Sequence, residues 1–228
     1  MRWQRAVRPL AAVVLAVGVS GAVGGCAMLA DAGTAVSVGT TTVSTERLQD
    51  LTNELVRSGY AVDPQTQQPL PSGAAQRQVL GVLVTSRVIE RLARDEGVSA
   101  TQGDVDARFA EFVKVTGSRQ ALEQGLGSQR GVPPSYARAY VRDLLLAERV
   151  QALLVPGAGT DPDVQQRRQQ ALADGLVRVG RELDVEVNPR YGTWSPTTGQ
   201  IDPLVSGGLA VPVGEAGAAP VPTPAAQP

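Results

Sequence analysis

From Ala35 to Val43 the chain reads Ala-Val-Ser-Val-Gly-Thr-Thr-Thr-Val, apolar and polar positions alternating about Gly39. A period of two with glycine at its centre predicts a short β-hairpin or β-turn. The period then changes. Ser44 and Thr45 offer N-caps, Glu46 suits the positive first turn, and Leu48, Leu51 and Leu55 share one helical face before Ser58-Gly59. Pro64, Pro69 and Pro71 make Tyr60 to Gly73 a loop.

Gln76 to Gly97 is the most apolar stretch beyond the N-terminal segment, and it predicts a helix of roughly six turns around which the other elements pack. Val79, Leu80, Val82, Leu83 and Val84 point all round its axis, so the first half is enclosed. Thr85, Val88, Ile89 and Leu92 gather opposite Arg87, Glu90, Arg91 and Arg94, which brings the second half to the surface, and Gly97 supplies a left-handed stop. The apolar excess of the first half makes Val82 and Leu83 candidate contacts for a peptide or partner.

Four more helices and a closing strand follow. Thr101 with Asp104 three residues on is a capping signal for a helix with Val105, Phe109, Phe112 and Val113 facing inward, broken at Thr116-Gly117-Ser118. Arg119 to Leu126 is a short helix on Ala121, Leu122 and Leu126, and Gly131-Val132-Pro133-Pro134-Ser135 opens the next, Tyr136 to Leu154, with Tyr140, Val141, Leu144 and Leu145 as its apolar patch. Asp161-Pro162 starts a last helix in which Val164, Leu172, Leu176, Val179 and Leu183 recur at helical spacing. Asp184-Val185-Glu186-Val187 returns to a period of two, a strand whose natural partner is the Val36 to Val43 hairpin, with Val185 and Val187 buried and Trp194 held nearby. The expected fold is therefore mainly α: a helical bundle around one long central helix, with a small β-sheet formed by an N-terminal hairpin and a C-terminal strand. Pro, Gly and Ala dominate from Ser195 onward, which predicts a disordered tail over 195–228.

The N-terminus carries a different signal. Arg2, Arg5 and Arg8 precede an apolar run, Leu10 to Val23, that is too short for a spanning helix and of the length of an export signal. It ends in Val23-Gly24-Gly25-Cys26, which resembles the bacterial lipobox, and Cys26 is the only cysteine in the chain. On that reading 1–25 is a lipoprotein signal peptide, Cys26 is lipidated, and 26–34 is a tether from the outer face of the cytoplasmic membrane. Two or more acyl chains, at about 0.8 kcal/mol per buried methylene, anchor stably where one does not.

Composition narrows the chemistry. There is no His, and Lys114 is the only Lys, which removes His-based acid-base catalysis, Cys–His nucleophiles and the usual zinc sites, so no catalytic residue, metal or cofactor is expected and the chain is read as a non-enzyme. Asp104, Asp106 and Glu111 fit a helix start and a solvated face better than a metal or acid pair. Net charge is −1, and loss of the leader's arginines makes the remainder more acidic, with no basic block for nucleic acid or anionic headgroups. Aromatic residues are only 4% of the chain, so Leu, Val and Ala must fill the core. Among the few aromatics, Tyr191 and Trp194 suit either amphipathic contact with a partner or stapling of the chain end over the core.

The order of parts, a Val-Xaa-Val-Gly hairpin, a leucine helix, a long helix ending Glu96-Gly97-Val98 and a restart at Thr101-Gln102-Gly103-Asp104-Val105, resembles the SurA/PrsA-type N-terminal chaperone domain of exported foldases. Asn188-Pro189-Arg190-Tyr191-Gly192-Thr193-Trp194 resembles the ending of an actinobacterial lipoprotein version. The resemblance covers about Ala35 to Trp194 and implies a helical chaperone domain, 35–194, that holds unfolded or extended exported polypeptides. Foldases of this kind often insert a parvulin isomerase domain before the last helix. Here only Val155 to Thr160 separate the last two helices, too few residues for a domain. A non-catalytic holdase for exported proteins is the leading expectation, and a structural or adaptor lipoprotein bound to one envelope protein is the alternative.

Overall fold

The alternation about Gly39 forms a hairpin. Strand β1 (Thr34–Val38) turns through Gly39, at a φ of 56°, into β2 (Thr41–Ser44), pairing Val36 with Val43. The closing strand β3 (Val185–Val187) lies antiparallel on the other side of β1, in the order β2-β1-β3, with Val36 opposite Val187 and Val38 opposite Val185. Two further hydrogen bonds fasten the chain ends: the Gly39 amide donates to the Asp184 carbonyl at 2.9 Å, and the Asn188 amide to the Ala35 carbonyl at 2.9 Å. This computed structural model describes residues 33–204; the leader, Cys26 and positions 205–228 lie outside the described residues.

Among the described residues, six α-helices carry the rest. They are α1 (Thr45–Arg57), α2 (Ser72–Asp95), α3 (Gln102–Thr116), α4 (Arg119–Arg130), α5 (Ala137–Leu154) and α6 (Pro162–Glu182), with a 3-10 turn at Pro134–Tyr136 before α5. Ser44 caps α1, and Thr101 and Asp104 form a complete capping box on α3, each side chain bonded to the other's backbone N–H. The fold is mainly α with a small antiparallel sheet at the joined ends. The central helix begins at Ser72, four residues before Gln76, because Pro71 lacks an N–H that a helix start leaves unpaired anyway. It stops at Gly97, whose φ of 68° is left-handed.

Helix α2 is the centre of the main core, where Val79, Leu80 and Val84 are fully buried with Leu48, Leu51 and Leu55 of α1. Each such side chain contributes roughly 1.5–3 kcal/mol. A second cluster, Phe109, Leu122, Ala137 and Val141, joins α3, α4 and α5, and the Arg138 guanidinium lies 4.7 Å from the Phe109 ring centre. Gly127 of α4 lets that helix close on the loop after α1, since a Cβ there would stand 2.6 Å from that of Tyr60.

Two expectations are corrected. Ser195 does not begin a disordered tail: β4 (Thr193–Ser195) and β5 (Gln200–Asp202) form a second hairpin, Trp194 opposite Ile201, and Ile201 is buried in the main core. Gly192 makes that pairing possible, because any Cβ there would meet the Asp202 carbonyl oxygen. Leu144 does not join the inward patch of α5. It is 38% exposed, while its neighbours Leu145 and Leu146 are buried. Val185 and Val187 are half-buried and pack on the core, as does Trp194.

Candidate functional site

Residues 81 to 89 of α2 are covered on one side by the β4-β5 hairpin and on the other by α5, with space left between. The Thr85 hydroxyl donates to the Gly199 carbonyl at 3.3 Å and seats the hairpin on the helix. Between these elements, the loop after α1 and the end of α4 runs a groove of about 650 Å³, inside the roughly 300–1,000 Å³ range of ligand pockets. Its apolar walls are Leu70, Val82, Ile89, Leu144 and Ile201, with Tyr140 beside them. Arg77 and Arg130 lie on its sides, and neither forms an ion pair among the described residues.

The groove also holds a buried acid. Asp143 of α5 is 3% exposed and borders the groove, as does Ser86 of α2, also 3% exposed. The Tyr136 hydroxyl donates to Ser86 Oγ at 2.8 Å, and Ser86 stands beside the Asp143 carboxyl. Glu54 of α1 fixes the turn that carries Tyr136: its carboxylate accepts from the Ser135 amide at 2.7 Å and the Ser135 hydroxyl at 2.6 Å. Burial pushes the Asp143 carboxyl up to about 7; the nearby Ser86 hydroxyl opposes this, the Glu90 charge adds to it, and Arg142 and Arg87 counter weakly. Those two arginines are already engaged, bonding Glu90 at 2.6 Å and 2.7 Å. Burial also raises the Tyr136 and Tyr140 hydroxyls. Across the groove, Asp63 is held below the usual carboxylate range by the Thr66 and Gln65 amides. Gln78 of α2, another lining residue, keeps its side-chain oxygen buried with no hydrogen-bond partner among the described residues.

The sequence-derived contact residues separate. Val82 lines the groove. Leu83 does not: it is 8% exposed and belongs to the core, because it lies on the opposite side of α2. Tyr191 is 3% exposed and packs on the core, so it staples the chain end and presents no open surface. Trp194 lines a smaller hollow of about 220 Å³ on the far side of the hairpin, with Val88, Leu176 and Pro196. Asp104, Asp106 and Glu111 are each paired with an arginine, Arg149, Arg138 and Arg108 respectively, and the Arg149 hydrogen bond holds Asp104 down to about 2.

Sequence reasoning passed over Ser86, Tyr136, Tyr140 and Asp143. A signal existed: Tyr136, Tyr140, Asp143 and Val150 recur at helical spacing, so Asp143 is a lone acid inside an apolar stripe. Its partner Ser86 lies in another helix, and only the fold brings the two together. No helix among the described residues is long and apolar enough to cross a membrane. No family model, curated protein or solved structure matches the chain.

Proposed function

We propose that the chain is an exported lipoprotein, tethered through Cys26 to the outer face of the cytoplasmic membrane, that holds extended or unfolded exported polypeptides without catalysing a reaction on them. The groove beside α2 carries this reading. It is open, walled by aliphatic side chains from three elements, and furnished with a few fixed polar groups, the lining an extended chain requires. The basic leader, the Val-Gly-Gly-Cys ending and the resemblance to SurA/PrsA-type chaperone domains support the same assignment, and the absence of His favours binding over catalysis. The localised polar groups, Asp143, Arg77 and Arg130, favour as a second reading an adaptor that fits one envelope partner.

Light scattering from several unrelated unfolded exported proteins tests the proposal. The protein suppresses aggregation at stoichiometric amounts, and Leu144→Glu, which charges an exposed groove wall, loses that effect while its circular dichroism is unchanged. Unaltered aggregation with the native chain refutes the holdase reading, and crosslinking that recovers a single folded protein from the envelope establishes the adaptor instead.

A further inference from the structure

An extended polypeptide offers a carbonyl acceptor and an amide donor at every residue, whatever its side chains. A groove that serves many sequences needs matching groups that read the backbone. This one has such a group at its wall, the carboxyl of Asp143. Ser86 stands beside that carboxyl, and no cation among the described residues bonds to it, since Arg87 and Arg142 bond Glu90. Tyr136 and Tyr140 are the other titratable groups beside it, and Asp63, Arg77 and Arg130 line the groove farther out. A carboxylate so enclosed lacks a counterion, and a docked apolar segment removes more of its water.

We propose that Asp143 is a ligand-binding residue of the groove, a neutral carboxyl that donates its proton in a hydrogen bond to a backbone carbonyl of an extended polypeptide, so that holding weakens as the pH rises. The inference rests on the groove being the polypeptide site. The raised affinity of Asp143 for its proton puts the change near neutral pH. Ionised, the carboxylate presents only acceptor oxygens to the ligand carbonyl and repels it.

The test uses the full chain and a fluorescent, end-blocked peptide of alternating Val, Ala and Ser, which has no titrating side chain. Anisotropy across the neutral range gives the dissociation constant. With the native protein it rises about tenfold per pH unit above the midpoint. Asp143→Asn, which keeps a donor at every pH, binds with the acid-limb affinity throughout. Asp143→Ala binds weakly at every pH. A native affinity that is flat or increases with pH overturns the assignment, as does an Asp143→Asn variant that keeps the native slope; binding then persists, and the groove reading with it. Absence of peptide binding by both native protein and Asp143→Asn at every pH overturns the groove reading and this inference together.

Discussion

Replacing Asp143 by Asn changes how stability depends on pH, and the size follows from the burial of the carboxyl. The group titrates at 3.8 in an open chain and at about 7 in the fold. Because its folded value is raised, the native state binds the extra proton between those limits, and stability falls as pH rises through that window. At 1.36 kcal/mol per unit, the cost reaches about 4 kcal/mol above the folded value, a large part of a typical 5–15 kcal/mol. Asn keeps the shape without a charge to bury. Urea denaturation of both proteins at about pH 5 and about pH 8 reads the effect, and the advantage of the variant grows by about 3 kcal/mol between them. Parallel profiles for the two proteins would refute the argument, because they would place Asp143 in solvent or beside a compensating cation.

Other outcomes follow from the fold and the leader. Truncation after Trp194 removes β5 and exposes the ground under Ile201, costing roughly 1.5–3 kcal/mol in a thermal or denaturant melt, and a melt unchanged by that truncation contradicts the seating of the hairpin on α2. Cys26→Ser abolishes lipid attachment, read by labelling in cells, and leaves the circular dichroism of the domain intact; lipid on the variant removes the lipobox assignment. A standard proline-isomerisation assay shows only the uncatalysed rate of tens of seconds or more, and clear acceleration contradicts the non-catalytic reading.

What the sequence made legible was local, and what it concealed was tertiary. The capping box at Thr101 and Asp104 needs only neighbours, and the alternation of Val36, Val38, Val185 and Val187 was strong enough to pair strands almost the whole domain apart. The β4-β5 hairpin escaped because its strands are three residues each, set in a stretch rich in Pro, Thr and Gly. Its reason for existing is contact: Ile201 enters the core and Gly199 receives the Thr85 hydroxyl. That same hairpin forms one wall of the groove, so the groove was hidden with it. Leu83 and Tyr191 show the converse error, since apolar character marks both a core residue and a binding surface until burial separates them.

The central claim is that polypeptide lies in the groove beside α2. A photo-crosslinking amino acid at Leu144, an exposed groove wall, and another at Gln169, exposed on α6 outside the groove, compare the two faces directly. With an unfolded exported protein present, illumination yields adducts from position 144, and an excess of the end-blocked peptide suppresses them. Equal adducts from 144 and 169, or none from 144 while aggregation is still suppressed, would place the held chain elsewhere and contradict the account.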